Sequence, residues 1–200
     1  MNPNVSVKER AARGSRFSHV VGFDDAPFDS DHRGDVLVVG VVYAGARLDG
    51  VLSCKVRRDG ANSTRALVEC VLRARFYPQL HAVLLQGIAL AGFNVVDLPA
   101  LRAGLERPVL VVCRKKPDLD AIRRALLGRV RGGSRKWKLI ERAGPMEPMG
   151  RVYVQRAGLS PADARALLQR LSIHSAVPEP LRTAHLIAAG VTLGESRARV

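Results

Sequence analysis

One apolar run constrains the rest of the chain. Val36-Leu37-Val38-Val39-Gly40-Val41-Val42-Tyr43 places five valines in eight residues. Such side chains suit a pleated surface and crowd a helix. The run predicts a central strand, and a central strand needs partners on both sides. The flanking sequence supplies them. His19-Val20-Val21-Gly22-Phe23 is a short apolar run ending at Asp24-Asp25, and Pro27 and Gly34 mark the loop that follows. On the other side Ala44-Gly45-Ala46 is a tight turn into Arg47–Val56, whose later part alternates apolar and polar residues. Three strands with short connections predict an antiparallel meander.

The period then changes. Asn62-Ser63-Thr64 offers helix N-caps, and Ala66, Leu67, Cys70, Val71 and Ala74 follow at helical spacing until Pro78. Ala82–Leu85 reads as a buried strand, Leu98–Leu105 as a helix and Val109–Cys113 as a second buried strand. A helix after Pro117 carries Leu119, Ile122, Ala125 and Leu126. The stretch from Gly128 to Gly150, with five Gly and two Pro, reads as a long connection. Val152-Tyr153-Val154 is a short strand, Ser160-Pro161 opens a helix, and Pro178-Glu179-Pro180 opens the last one, ending near Gly190. A meander followed by alternating strands and helices predicts an α/β fold with a mixed sheet covered by helices. This is the order that a ribonuclease-H-like fold requires. Residues 1–16 are polar and basic and read as an N-terminal arm, leaving 17–200 as one domain.

The apolar runs are strand-sized and too short to cross a bilayer, and no apolar stretch precedes Val20. Membrane insertion and a signal peptide are therefore not expected. Cys54, Cys70 and Cys113 form no metal-binding spacing, which predicts reduced thiols and a cytoplasmic location. Thirty-two Lys and Arg against 18 Asp and Glu leave a net charge of +14. A domain this basic is suited to a polyanion, and nucleic acid, RNA or DNA, is the expected partner.

In open α/β sheets, sites form at the carboxyl ends of strands. Asp24-Asp25, Asp59 and Gln86 stand at three such ends. Carboxylates converging there would hold Mg²⁺ or Mn²⁺, hard cations that take oxygen ligands and assist phosphodiester cleavage. Asp24-Asp25 also fits a turn that ends a strand, and Asp59-Gly60 fits a simple turn. Arg135, Lys136 and Lys138 surround Trp137 in a basic segment suited to phosphate contacts. Trp137 would either stack on a base or anchor the segment to the core.

Longer motifs carry a resemblance. Gly158-Leu159-Ser160, the helix after it, and Val177-Pro178-Glu179-Pro180-Leu181-Arg182-Thr183-Ala184-His185 are similar to the C-terminal part of endonuclease V. Val21-Gly22-Phe23-Asp24 is similar to that family's first strand, which ends in a metal-binding aspartate. Gly22-Phe23-Asp24-Asp25, Leu48-Asp49-Gly50-Val51, Gly87-Ile88 through Ala91-Gly92-Phe93-Asn94-Val95-Val96-Asp97, Arg114-Lys115-Lys116-Pro117-Asp118 and Gly194-Glu195-Ser196-Arg197 resemble an uncharacterised branch of that superfamily, domain of unknown function ninety-nine. The likeness runs from about residue 17 to the end.

The resemblance implies a divalent-metal-dependent endonuclease acting on RNA or DNA. Asp24, Asp25, Asp59 and His185 would be its catalytic candidates. Asp24, Asp59 and Gln86 would hold the metal, Mg²⁺ or Mn²⁺, and Arg182 would join the basic segment in meeting phosphate. The chain also departs from the family. Endonuclease V ends its fourth strand in an aspartate before glycine, whereas this chain has Gln86-Gly87. A neutral carbonyl oxygen binds a cation less strongly than a carboxylate. The family's glutamate near the first long helix has no clear match, Asp59 being the best candidate, and its proline-tyrosine wedge has no counterpart. An alternative therefore stands beside the enzyme: a nucleic-acid-binding protein that keeps the fold and basic surface with catalysis impaired. Asp97 reads as a helix N-cap in preference to a replacement ligand.

Overall fold

The structure, a computed structural model, describes residues 17–196. The expected N-terminal arm and Arg197 lie outside them. In chain order the elements are β1 (His19–Asp25), β2 (Asp35–Ala44), β3 (Arg47–Arg57), α1 (Ser63–Leu72), a 3-10 turn (Tyr77–Gln79) and β4 (Ala82–Gln86). A small hairpin, β5 (Ala89–Leu90) and β6 (Asn94–Val95), precedes α2 (Leu98–Leu105) and β7 (Val109–Cys113). Then come α3 (Leu119–Arg129), α4 (Gly133–Arg142), β8 (Glu147–Met149), β9 (Val152–Ala157), α5 (Pro161–Leu171) and α6 (Glu179–Leu193).

The expected meander is present: β1 and β3 both pair antiparallel with β2. Val38, Val39, Val41 and Val42 are buried, which accounts for a strand rich in valine on both faces. β4 and β7 add to β1 in parallel, and β9 and β8 complete the sheet antiparallel, giving the order β3-β2-β1-β4-β7-β9-β8. The mixed α/β sheet expected from the order of elements is thus the one observed. Its parallel centre directs the ends of β1, β4 and β7 to the same edge.

Two glycines of β1 and β2 let large neighbours approach. The Phe23 ring lies over Gly40, its cross-strand partner, where a Cβ would sit 2.3 Å from the ring. α6 crosses β1 at Gly22, where a Cβ would lie 2.7 Å from the Pro180 backbone and 2.9 Å from the Leu181 nitrogen. Helix ends follow the expected caps in part. Ser160 Oγ accepts from the Asp163 N–H, and Asp97 accepts from the Ala100 N–H at the start of α2. At α1, Asn62 holds the N-cap place without capping by its side chain; Asn94, from β6, accepts from the Ser63 N–H instead.

The expectation of a long connection from 128 to 150 is corrected. α3 continues to Arg129, and α4 occupies Gly133–Arg142. Gly133, Lys136 and Ile140 are buried at helical spacing, and a lysine in that stripe disguises it in the sequence. Gly132 enters the helix in left-handed geometry, φ 71°, and Gly133 lies so near Leu126 that a Cβ would meet its carbonyl oxygen at 1.8 Å. The two glycines make a close helix crossing and not a slack loop. Val95, Leu126 and Ile140 form a small core of their own, apart from the main one, that joins α3, α4 and the β5–β6 hairpin. Among the described residues no helix is long and apolar enough to cross a membrane.

Candidate active site at the ends of the parallel strands

Phe23 of β1 pairs with Leu85 of β4, so the next residues, Asp24 and Gln86, end adjacent parallel strands at one edge. Side chains alternate along a strand, which places Asp24 on the same face as Gly22, toward α6. His185 comes from that helix, about a turn beyond the close approach at Pro180. Its Nδ1 lies 2.9 Å from Asp24 Oδ2. The other carboxylate oxygen of Asp24 accepts from the Asp25 N–H at 3.0 Å. Asp24 is only 5% exposed. Two further polar atoms here are buried without a hydrogen-bond partner: Gln86 Oε1 and His185 Nε2.

Burial pushes the Asp24 carboxyl above its ordinary range, against the opposing pull of its hydrogen bond to His185. The same hydrogen bond raises His185 above the usual histidine range, against the cost of burying its charge. Asp25 is pushed up to about 6, first by burial and then by the charge of Asp24. The edge therefore concentrates electron-pair donors in a poorly solvated place.

Asp25 points to the opposite face, where its Oδ2 accepts from the Ala91 N–H at 3.0 Å. Ala91 continues into a strap. Its carbonyl accepts from the Asp59 N–H at 2.9 Å, and Asp59 Oδ1 accepts from the Phe93 N–H at 2.8 Å. Asp59 Oδ2 lies 3.4 Å from Arg58 Nε. Asp59 and Ala91 both hold φ 49°, an uncommon left-handed geometry for residues other than glycine. The structure thus brings Asp24 and His185 together, while the Asp59 carboxylate holds the Ala91–Phe93 turn. Sequence reasoning missed this strap and its buried Asn94, which donates to the Arg57 carbonyl and to Asn62 Oδ1. The motif Ala91-Gly92-Phe93-Asn94 was its only sequence signal.

The candidate phosphate-contacting residues divide. Arg135 and Lys138 are exposed on α4. Lys136 is 4% exposed, and its ammonium donates to the Asp59 carbonyl. Desolvation lowers its pKa while the charge of Asp59 opposes the shift. Trp137 packs against the small core, donates to Glu141 Oε1 at 2.6 Å, and lies under the Arg123 guanidinium at 5.7 Å. Arg182 is 2.8 Å from the buried Glu179 carboxylate, one turn earlier in α6. Asp97 caps α2 and pairs with Arg142 at 2.6 Å.

Among the described residues, no three His, Cys, Asp or Glu side chains are grouped as metal ligands. Asp24 supplies a carboxylate held by His185, and the other oxygen donor at this edge is the amide of Gln86. The carboxylate and the amide oxygen offer electron pairs and no proton, while His185 Nε2, on the far side of the ring from its contact with Asp24, opens away from them. A cation has the complementary chemistry. The donor set fits one, with a single full negative charge from Asp24.

A UPF0215 protein of Deinococcus radiodurans is 60% identical over 181 residues, spanning 90% of this chain and 92% of that protein. A protein of unknown function from Archaeoglobus fulgidus superimposes with a TM-score of 0.81 at 34% identity, covering 86% of this chain and 97% of that one. Ciona intestinalis endonuclease V, solved with a 24mer DNA containing an inosine, superimposes with a TM-score of 0.54 at 12% identity, over 90% of this chain and 93% of that chain. That last likeness is one of fold. The family model described as endonuclease dU matches residues 16–192. With nearly the whole described chain matched, this protein belongs to the endonuclease dU family.

Proposed function

We propose that this protein is a divalent-metal-dependent endonuclease that hydrolyses nucleic-acid phosphodiester bonds at the edge formed by Asp24, Gln86 and His185. The observation that carries the proposal is the buried Asp24 carboxylate, paired with the half-buried His185, beside the unpartnered amide oxygen of Gln86. Asp24 and Gln86 would hold Mg²⁺ or Mn²⁺ through oxygen. When bound, such an ion supplies Lewis acidity and lowers the pKa of water. The residues do the rest. His185 fixes the orientation of Asp24, and Asp25, on the other face of β1, anchors the Ala91 strap beside it. Arg135 and Lys138 are available to phosphate, and the family name makes deoxyuridine-containing DNA the first substrate to test. The free thiols of Cys54, Cys70 and Cys113 support a cytoplasmic setting.

Gln86 supports a second reading, a binding protein with hydrolysis impaired, because it brings no charge where the related fold has a carboxylate. Calorimetry with Mn²⁺ separates the site from its absence. Wild type is expected to bind one ion weakly, and Asp24→Asn, with the same volume and no charge, to lose at least about tenfold in affinity, or 1.4 kcal/mol. Equal affinity in the two proteins would remove Asp24 from the site.

A further inference from the structure

The charge of the protein is unevenly placed. Residues 114–142 hold eleven Lys and Arg against three Asp and Glu, so 29 residues carry +8 of the total +14. Of these cations, Arg114, Lys115, Lys116, Arg123, Arg124, Arg129, Arg131, Arg135, Lys138 and Arg142 are exposed, and Lys136 is buried. The segment is the α3–α4 helical hairpin with its entry turn, closed by the Gly133–Leu126 contact and carried on its own small core. It is a basic unit with a small core of its own.

Its position relates it to the candidate site. Arg114-Lys115-Lys116 leave the carboxyl end of β7, and β7 is parallel to β4 and β1. The basic hairpin therefore begins at the same sheet edge as Gln86 and Asp24, two strands away from Asp24. Neighbouring strands lie about 4.8 Å apart, so this offset is about 10 Å. Along one strand of a duplex that is roughly three base pairs. A second link ties the hairpin to the edge: Lys136 donates to Asp59, Asp59 to Ala91, and Ala91 to Asp25.

We propose that α3–α4 is a separate grip for the phosphate backbone of nucleic acid, lying to one side of the cleavage site and reading no bases. The placement relative to cleavage rests on the hydrolase reading above; the grip itself does not. Charge complementarity identifies the occupant. Cations dominate the exposed polar side chains, Trp137 is turned into the small core, and the unit lies on the edge where a substrate strand would cross. An anionic membrane would meet the same charge, but the link to Asp25 has no role there.

The test is the salt dependence of binding to a duplex DNA with no modified base, read by fluorescence anisotropy. The triple variant Arg131→Ala, Arg135→Ala, Lys138→Ala is compared with Arg73→Ala, Arg151→Ala, Arg165→Ala, which removes equal charge elsewhere. Each phosphate contact contributes about 0.9 to the slope of log K against log salt. The hairpin variant is expected to lose roughly two to three from that slope, across sequences alike, and the control less than one. Thermal midpoints close to wild type establish that both variants fold. Equal losses in both variants, or none in the hairpin variant, overturn the grip. Wild type that ignores duplex DNA but binds phosphatidylserine vesicles also overturns it, in favour of a membrane partner. A hairpin-specific loss of slope in a protein that cleaves nothing sustains the grip and sinks the hydrolase reading instead.

Discussion

Gly22→Ala is expected to lower the stability of the protein and to separate Asp24 from His185. The added Cβ would lie 2.7 Å from the backbone of Pro180 and 2.9 Å from the Leu181 nitrogen. These atoms belong to the first turn of α6, where no flexible side-chain end can swing aside. The helix must move away from β1. Overpacking of this kind costs about 1 to 3 kcal/mol, which for a chain of this size is a fall in melting temperature of roughly 2–4 °C per kcal/mol. The functional consequence is larger than the structural one. Asp24 is two residues along the same strand face and His185 is on the displaced helix, so a shift of a few tenths of an ångström lengthens their 2.9 Å contact. Misplacement by about 1 Å can lower a rate a hundredfold. Urea unfolding together with cleavage rates below the melting transition checks both parts. A variant within about 0.5 kcal/mol of wild type, the usual range for uneventful surface changes, would show that α6 is not seated on Gly22 as described.

Gln86→Asp is expected to raise activity. It places a carboxylate beside Asp24 without added bulk and removes a buried amide oxygen that has no hydrogen-bond partner. Unit charges 4 Å apart interact by about 4 kcal/mol at an effective dielectric of 20. A tenfold gain in Mn²⁺ affinity needs only about a third of that. Cleavage with Mn²⁺ is expected to rise well above wild type. Without metal the same substitution is unfavourable. Asp24 already helps to push Asp25 up to about 6, and a further carboxylate adds repulsion at a poorly solvated edge. The metal-free variant should therefore melt below wild type, and Mn²⁺ should restore it. Comparable robust activity in both proteins would mean that Gln86 is no handicap. Loss of wild-type cleavage on introducing the carboxylate would contradict the assignment of position 86 to the metal site.

The sheet was legible in the sequence because its signals are local. The valines of β2, the turn at Gly45 and the apolar runs of β4 and β7 each report a strand from a few residues. α4 was not legible, because its buried stripe contains Lys136 and its start is a pair of glycines. Those features resemble a loop until Leu126 is known to lie against Gly133. The β5–β6 hairpin was too short to give a periodic signal. At the site, Asp24 and His185 could be paired through the family resemblance, although 161 positions separate them. Asp59 shows the limit of such reasoning. A carboxylate at a strand end and a carboxylate holding a turn have the same local sequence, and only the Phe93 N–H distinguishes them here. The buried role of Lys136 likewise depends on a carbonyl 77 residues away.

The most direct measurement is single-turnover cleavage of a duplex containing one deoxyuridine, in excess Mn²⁺, by wild type and by Asp24→Asn. Wild type should cut the strand that carries the deoxyuridine and stop cutting when the metal is chelated. Asp24→Asn, folded to the same melting temperature within a few degrees, should be slower by at least about a hundredfold, equivalent to some 2.7 kcal/mol of transition-state stabilisation. Cleavage by Asp24→Asn at the wild-type rate, or wild-type cleavage that persists after chelation, would contradict a metal-dependent site built on Asp24.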